Sequence, residues 1–461
     1  MGDLSIFSRF GLTEEHRADC HDLLRAIFPN HELTTHRYQG YCSYTVLLSF
    51  RGDTQGRKSS SNASQCKLLE VNCEASTKLQ LSDDFWNQHL IVQFRPPVFA
   101  LDIQVTNLAT AVYGPYAPDV RQIGRVHFNS NRDHHDEKRE QQQQQQHPTQ
   151  TLTMTAQTRL PGLPYSALQI QHRHLSPSQL ARQENLVTGF AAFLARGWLS
   201  ASSTSSPLPL RPGPLHLATR SKLRLLSTEL PTAALRNAAR RTLEQLHLLR
   251  CLPLCLNHGD VVPGNVMVGS EGQLTGLVDW AEAEVGVWGV PLYGVEFLLG
   301  WVEKEGEEEE EGRSVGQEGG QDSNVNTAAA AAWGAGGGAQ DKTAGRWRWT
   351  WTYYTAAPSL RSLFYSTLYR HLPHPLSDEQ ISAIGVVRDV GVLLWFGFAW
   401  DEGDIGRVVE GWRDERELVL LETFLGHGAA GGGLGKGEAV GEKMGYGGGG
   451  GCGCGIDAQQ I

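Results

Sequence analysis

Long apolar runs are missing from this chain, as are a field of basic charge and any metal-like spacing of cysteines. The longest strongly apolar stretch, residues 390–400, is about eleven residues and follows Arg388 and Asp389, too short to cross a bilayer. Residues 1–9 hold no apolar core of signal-peptide length, so the sequence predicts a cytoplasmic protein with no membrane partner. Lys and Arg total 40 against 50 Asp and Glu, a formal net charge of −10, which excludes a nucleic-acid surface. Without basic charge around them, Trp347, Trp349 and Trp351, which alternate with Arg346 and Arg348, read as packing residues. Of the eight cysteines, Cys452 and Cys454 stand too close for an ordinary zinc pair and the other six are scattered, the pattern of reduced thiols.

Several short matches fall with these absences. Arg51-Gly52-Asp53 and the sequon at Asn62 matter only outside a cell. The run ending at Lys436 imitates a phosphate loop, but Ala430 takes the place of its first glycine and Gly437 that of its Ser or Thr. His134, His135 and His147 fall in a polar, low-complexity segment and read as solvated side chains.

What the chain does have is concentrated in residues 257–280. Asp260 and Asn265 are five residues apart on a stretch that Pro263 and Gly264 keep from being helical, so the two side chains can converge. A carboxylate there can accept a proton from an alcohol. Residues 266–268 and 274–278 read as two short strands around the turn Gly269-Ser270-Glu271-Gly272. Asn265 then lies at the entrance of a hairpin and Asp279 at its exit, and hard oxygen donors, few in number, suit Mg²⁺ that keeps its waters.

His258-Gly259-Asp260, then four residues, then Asn265, then Asp279-Trp280, resembles the aminoglycoside phosphotransferase family, in particular its fungal branch. The resemblance implies an α+β, two-lobed, protein-kinase-like fold with a small antiparallel-sheet N-lobe and a mostly helical C-lobe. It implies Asp260 as the catalytic base or orienting carboxylate, Asn265 and Asp279 as magnesium ligands, and His258 as a structural residue tying the catalytic loop to the strand that ends in Asp279. Its cofactors would be ATP and Mg²⁺, and its partner a small-molecule hydroxyl substrate. Protein kinases differ here, with Arg in place of Gly259 and Phe-Gly in place of Trp280.

The nucleotide side departs from the family pattern. Residues 40–50 read as a turn entering a strand, either a plain hairpin or the nucleotide-covering loop with Ser43 donating to a phosphate. On the strand of residues 89–95, Gln93 stands where the resemblance expects a cation, with Arg95 two residues on and on the same face. On the following helix, residues 101–112, Gln104 stands where its acidic partner is expected, with Asp102 as the alternative. Either Gln93 and Gln104 form an amide pair without charge, or Arg95 takes the cation's place with Asp102 beside it.

The sequence predicts an N-lobe over 1–160, a C-lobe over 161–425 and a glycine-rich tail over 426–461. A strand over 151–160 enters the hinge Leu160-Pro161-Gly162. Helices are expected over 176–198, 233–249, 292–301, 360–371 and 381–400, the last opened by a Ser377/Gln380 capping box. Disordered inserts are expected at about 52–82, 129–150 and 303–343; the third carries ten acidic and three basic side chains. The function expected is transfer of the γ-phosphoryl group of ATP to a small-molecule hydroxyl, the alternative being a weak or inactive pseudokinase serving as a nucleotide-binding or interaction module.

Overall fold

The computed structural model of the chain describes residues 6–36, 39–51, 84–128, 150–201, 211–305, 348–373, 375–401 and 405–428. Among these it forms two compact units, one of Met1–Gly162 with Thr275–Ala281, the other of Leu163–Leu274 and the residues from Glu282 onward. The class is the expected α+β, an antiparallel sheet in the first unit and mostly helices in the second.

Alternation builds the first unit. Its elements are α1 (Ile6–Arg9), α2 (Glu14–Ile27), β1 (His31–Thr35), β2 (Tyr44–Phe50), β3 (Leu90–Arg95), α3 (Ile103–Tyr113), β4 (Val120–Phe128) and β5 (Gln150–Thr158). The strands make one antiparallel sheet in the order β1-β2-β3-β5-β4. Leu90, Val92 and Phe94 take every second place on β3 and are wholly buried against Val46, Met154 and Leu24 of α2. Burial of each such side chain stabilises the sheet by about 1.5–3 kcal/mol. The same alternation puts Gln93 on the opposite face, in register with Thr45 and Thr155.

Helical spacing builds the second. It contains β6 (Leu163–Pro164), α4 (Pro177–Ala201), α5 (Pro214–Glu229), α6 (Ala233–Glu244), β7 (Leu254–Asn257), β8 (Val266–Val268), β9 (Leu274–Leu277), β10 (Glu284–Val287), α7 (Gly294–Phe297), β11 (Gly300–Glu305), β12 (Arg348–Tyr353), α8 (Ala357–His371), α9 (Asp378–Phe396) and α10 (Glu415–Gly428), β9 passing into the first unit at Thr275. Phe190 of α4 stacks on Phe364 of α8 with ring centroids 5.9 Å apart, and Phe297, Phe396 and Phe424 meet edge-on or tilted in the same core. Ser377 caps α9 as its capping box predicts. No helix among the described residues is long and apolar enough to cross a membrane.

Four expectations are corrected. Residues 292–301 are not one helix: α7 is four residues long and β11 starts at Gly300, where a Cβ would strike the Thr352 carbonyl of the facing strand. A short run apolar but for Glu296 has too little periodicity to separate helix from strand. Glu303, Lys304 and Glu305 belong to β11 rather than to an insert, paired with Thr350, Trp349 and Arg348, and the Glu303 carboxylate accepts from Trp301 Nε1 and Thr352 Oγ1. Likewise α10 runs on to Gly428 and β5 begins at Gln150. The remaining parts of the expected inserts and tail, with Cys452, Cys454, the three histidines and Trp347, lie outside the described residues.

Candidate active site

In the first unit the charge centre is Arg95. Its side chain is 4% exposed, and Nη2 donates to Asp279 Oδ1 at 3.1 Å, with Asp279 45% exposed. Gln93 Oε1 accepts from Arg95 Nε at 3.1 Å, the contact that residues two apart on one strand face can make. Asp102 is not the partner of Arg95: its Oδ1 accepts from the Gln104 and Val105 amides and caps α3. Nor do Gln93 and Gln104 form the amide pair, since Gln93 is engaged by Arg95 and Gln104 stands exposed on the first turn of α3. Ser43 is buried, its hydroxyl 3.2 Å from that of Thr45.

Asp279 is the one non-glycine residue with positive φ, at 61°, among the described residues. Aspartate tolerates this left-handed backbone better than most residues. Its neighbours pin it: Thr275 Oγ1 donates to Pro161 O at 2.6 Å, Trp280 Nε1 to Leu277 O at 2.9 Å, and the Trp280 ring lies 5.1 Å from that of Tyr113.

The second unit holds the loop that follows β7. His258 is 1% exposed, and its Nδ1 accepts from the Asp260 amide at 3.3 Å. Gly259 has φ 83°, and a Cβ there would overlap the Glu282 carbonyl, so this place admits only glycine. Asn265 Nδ2 donates to Asp260 Oδ2 at 2.8 Å and to Asp260 O at 3.0 Å, closing the five-residue loop on itself. A buried residue that the motif did not point to completes it. Tyr293 takes the Val261 amide on its hydroxyl at 2.9 Å and donates to Gly259 O at 3.4 Å. Burial, and then the Asp260 charge, push its phenol well above the ordinary range, so it stays protonated. The only signal in the sequence was an aromatic in a run too apolar to need a hydroxyl.

Glu284, just beyond Asp279, caps a helix. Its two carboxylate oxygens accept from the Leu215 and His216 amides of α5 at 2.8 and 2.7 Å. Burial raises its pKa, and the two amide bonds act the other way.

Two residues carry hard oxygen donors of the kind magnesium takes: in the second unit Asn265, whose two bonds both run through Nδ2, has its carbonyl oxygen, and in the first Asp279 has a half-exposed carboxylate. Among the described residues no group of three or more His, Cys, Asp and Glu could hold a metal.

Residues 132–324 match the family model described as the phosphotransferase enzyme family, APH. No curated protein matches the chain in sequence. Solved structures similar to it include macrolide 2'-phosphotransferase MphH from Brachybacterium faecium, at 16% identity over 61% of this chain and 77% of that one, TM-score 0.35. A choline kinase from Cryptosporidium parvum is 9% identical over 90% and 94%, TM-score 0.41. A spectinomycin phosphotransferase solved with ADP and spectinomycin is 10% identical over 82% and 87%, TM-score 0.35. The resemblance carried by His258, Asp260, Asn265 and Asp279 is thus met by a family match that spans all four, and the match is to the phosphotransferase family as a whole, with no branch of it singled out.

Proposed function

We propose that the chain is an ATP- and magnesium-dependent phosphotransferase acting on a hydroxyl of a small molecule. The observation that carries this reading is the Asn265 amide fixed on the Asp260 carboxylate at 2.8 Å, on a loop whose backbone His258 and Tyr293 hold. Phosphoryl transfer asks little covalent chemistry of a protein and much positioning, which such a loop supplies. Asp260 would orient the acceptor hydroxyl and take its proton. Asn265 and Asp279 would hold magnesium, which when bound supplies positive charge against the phosphate oxygens. On the nucleotide side the reading assigns Ser43, Gln93, Arg95 and Gln104, with Arg95 the charge among them and Gln93 steering its Nε. The family match supports the phosphotransferase class.

Asp260→Asn keeps the hydrogen-bonding shape and removes the base. Turnover, read as ADP release, is expected to fall by about two orders of magnitude or more with Mg-ATP affinity retained. An unchanged rate in the purified variant would remove Asp260 from the chemistry. The second reading, a pseudokinase module, draws on the two glutamines in place of charges and on Arg95 resting against Asp279.

A further inference from the structure

A cleft of about 870 Å³, open solvent included, lies within the second unit between α5, β10 and α9. Its walls are mainly apolar, from Leu217, Leu246, Val390, Leu394 and Trp395. Leu217 is 62% exposed, an apolar rim where a surface helix would ordinarily carry a polar side chain. Its lining includes Gly259, next in sequence to Asp260, and Tyr293, whose ring stacks on Trp395 at 5.6 Å and whose hydroxyl takes the Val261 amide of the same loop.

The charged groups of the lining are two. Glu284 has both oxygens engaged by backbone amides of α5, and Arg220 carries the opposite sign. Half-buried His216 is held below the usual histidine range by desolvation, so its ring is neutral near pH 7. A polycation finds one carboxylate, already bonded to two backbone amides, whereas an apolar body finds a matching wall.

We propose that this cleft takes the acceptor, and that the acceptor is an uncharged alcohol with a largely apolar body. This rests on the phosphotransferase reading above. With the body in the cleft, the hydroxyl sits at the loop end beside Asp260. Its oxygen bonds to the γ-phosphorus of ATP as the bond from that phosphorus to the β–γ bridging oxygen breaks. The hydroxyl proton passes to the Asp260 carboxylate, and ADP leaves with the electron pair of the broken bond.

The test uses the full chain with Mg-ATP and measures ADP release with primary alkanols from ethanol to octanol, with the polycation kanamycin, and with water alone. kcat/KM is expected to rise about fourfold per added methylene until the cleft is filled, and kanamycin to add nothing over water. Leu217→Glu, at an exposed position that folding does not depend on, should raise KM for octanol about tenfold. Val390→Trp, its melting temperature confirming the fold, should abolish the octanol response by filling the cleft. A flat chain-length series, a preference for kanamycin, or octanol kinetics indifferent to Leu217→Glu would overturn the proposal while Asp260-dependent hydrolysis into water kept the phosphotransferase reading. Absence of ADP release with every acceptor, water included, would overturn both.

Discussion

A guanidinium that is 4% exposed has to keep an anionic partner, and Arg95 keeps Asp279. Removing the carboxylate alone strands a buried charge, a larger penalty than the ion pair's own net worth. Because Asp279 is 45% exposed and water screens it, Asp279→Ala is expected to destabilise the protein by about 1–3 kcal/mol, less than a fully buried pair would lose, read from urea unfolding. The double variant Arg95→Met with Asp279→Ala should recover part of the loss, and a double variant no more stable than Asp279→Ala would mean that the pair is not what matters. Both residues were visible in the sequence, Arg95 by its place two residues from Gln93 and Asp279 by its motif. Their pairing was not, because 184 residues separate them and no local rule joins them. Asp102 was nearer in sequence, but an aspartate immediately before an apolar helical run is first of all an N-cap, and capping is what it does.

At the scale of elements, four residues of α7 organise much of the second unit. Glu296 is 0% exposed, with Oε1 accepting from Arg388 of α9 at 2.8 Å and Oε2 from Arg361 of α8 at 2.7 Å and Tyr353 of β12 at 2.8 Å. Burial alone would raise its pKa, but Arg388 and then Arg361 outweigh burial and hold it below the ordinary 4.5. A carboxyl whose pKa is lower folded than unfolded contributes stability above its unfolded pKa, about 4.3, and loses it as pH falls through the folded value. Glu296→Gln leaves two guanidiniums facing a neutral amide and should cost about 3–5 kcal/mol at pH 7. It should also flatten the fall of stability below about pH 4 in an acid titration followed by far-ultraviolet circular dichroism; a variant with the same acid slope would place the acid sensitivity elsewhere. Helices α4, α8 and α9 were legible from 3.6-residue spacing and the Ser377/Gln380 box, β3 from a run that prolines end, and β5 from the resemblance, as the strand that enters the Leu160-Pro161-Gly162 hinge. The stretch around Glu296 was not, since it is buried on every side. The pairing of Glu305 with Arg348 suggests one more measurement. Replacing residues 306–347 by Asn-Gly should close β11 and β12 as a tight hairpin and leave the melting temperature within about 5 °C.

At the scale of the whole molecule, the motif around Asp260 speaks for the acceptor side, while the nucleotide side depends on whether Arg95 can serve phosphates as well as Asp279. A ligand that binds only the folded chain must stabilise it by RT ln(1 + [L]/Kd), about 2.7 kcal/mol at a hundredfold excess over Kd. For units of 150–250 residues that corresponds to a rise of roughly 5–10 °C in melting temperature. Millimolar Mg-ATP is therefore expected to raise the melting temperature of the wild-type chain by several degrees. Magnesium alone should do little, since Asp279 Oδ1 is already bonded to a guanidinium and, among the described residues, no group of three or more His, Cys, Asp and Glu could hold a metal. Arg95→Ala, by contrast, should lose most of the nucleotide shift, because Gln93 and Gln104 carry no charge to replace it and a guanidinium–phosphate contact is among the stronger hydrogen-bonding pairs. The control is Asp260→Asn, whose nucleotide shift should match the wild type if its carboxylate serves the acceptor as proposed. A wild-type curve indifferent to millimolar Mg-ATP would decide for the pseudokinase reading; a shift that survives Arg95→Ala would keep the enzyme but move the phosphate-gripping charge to another residue.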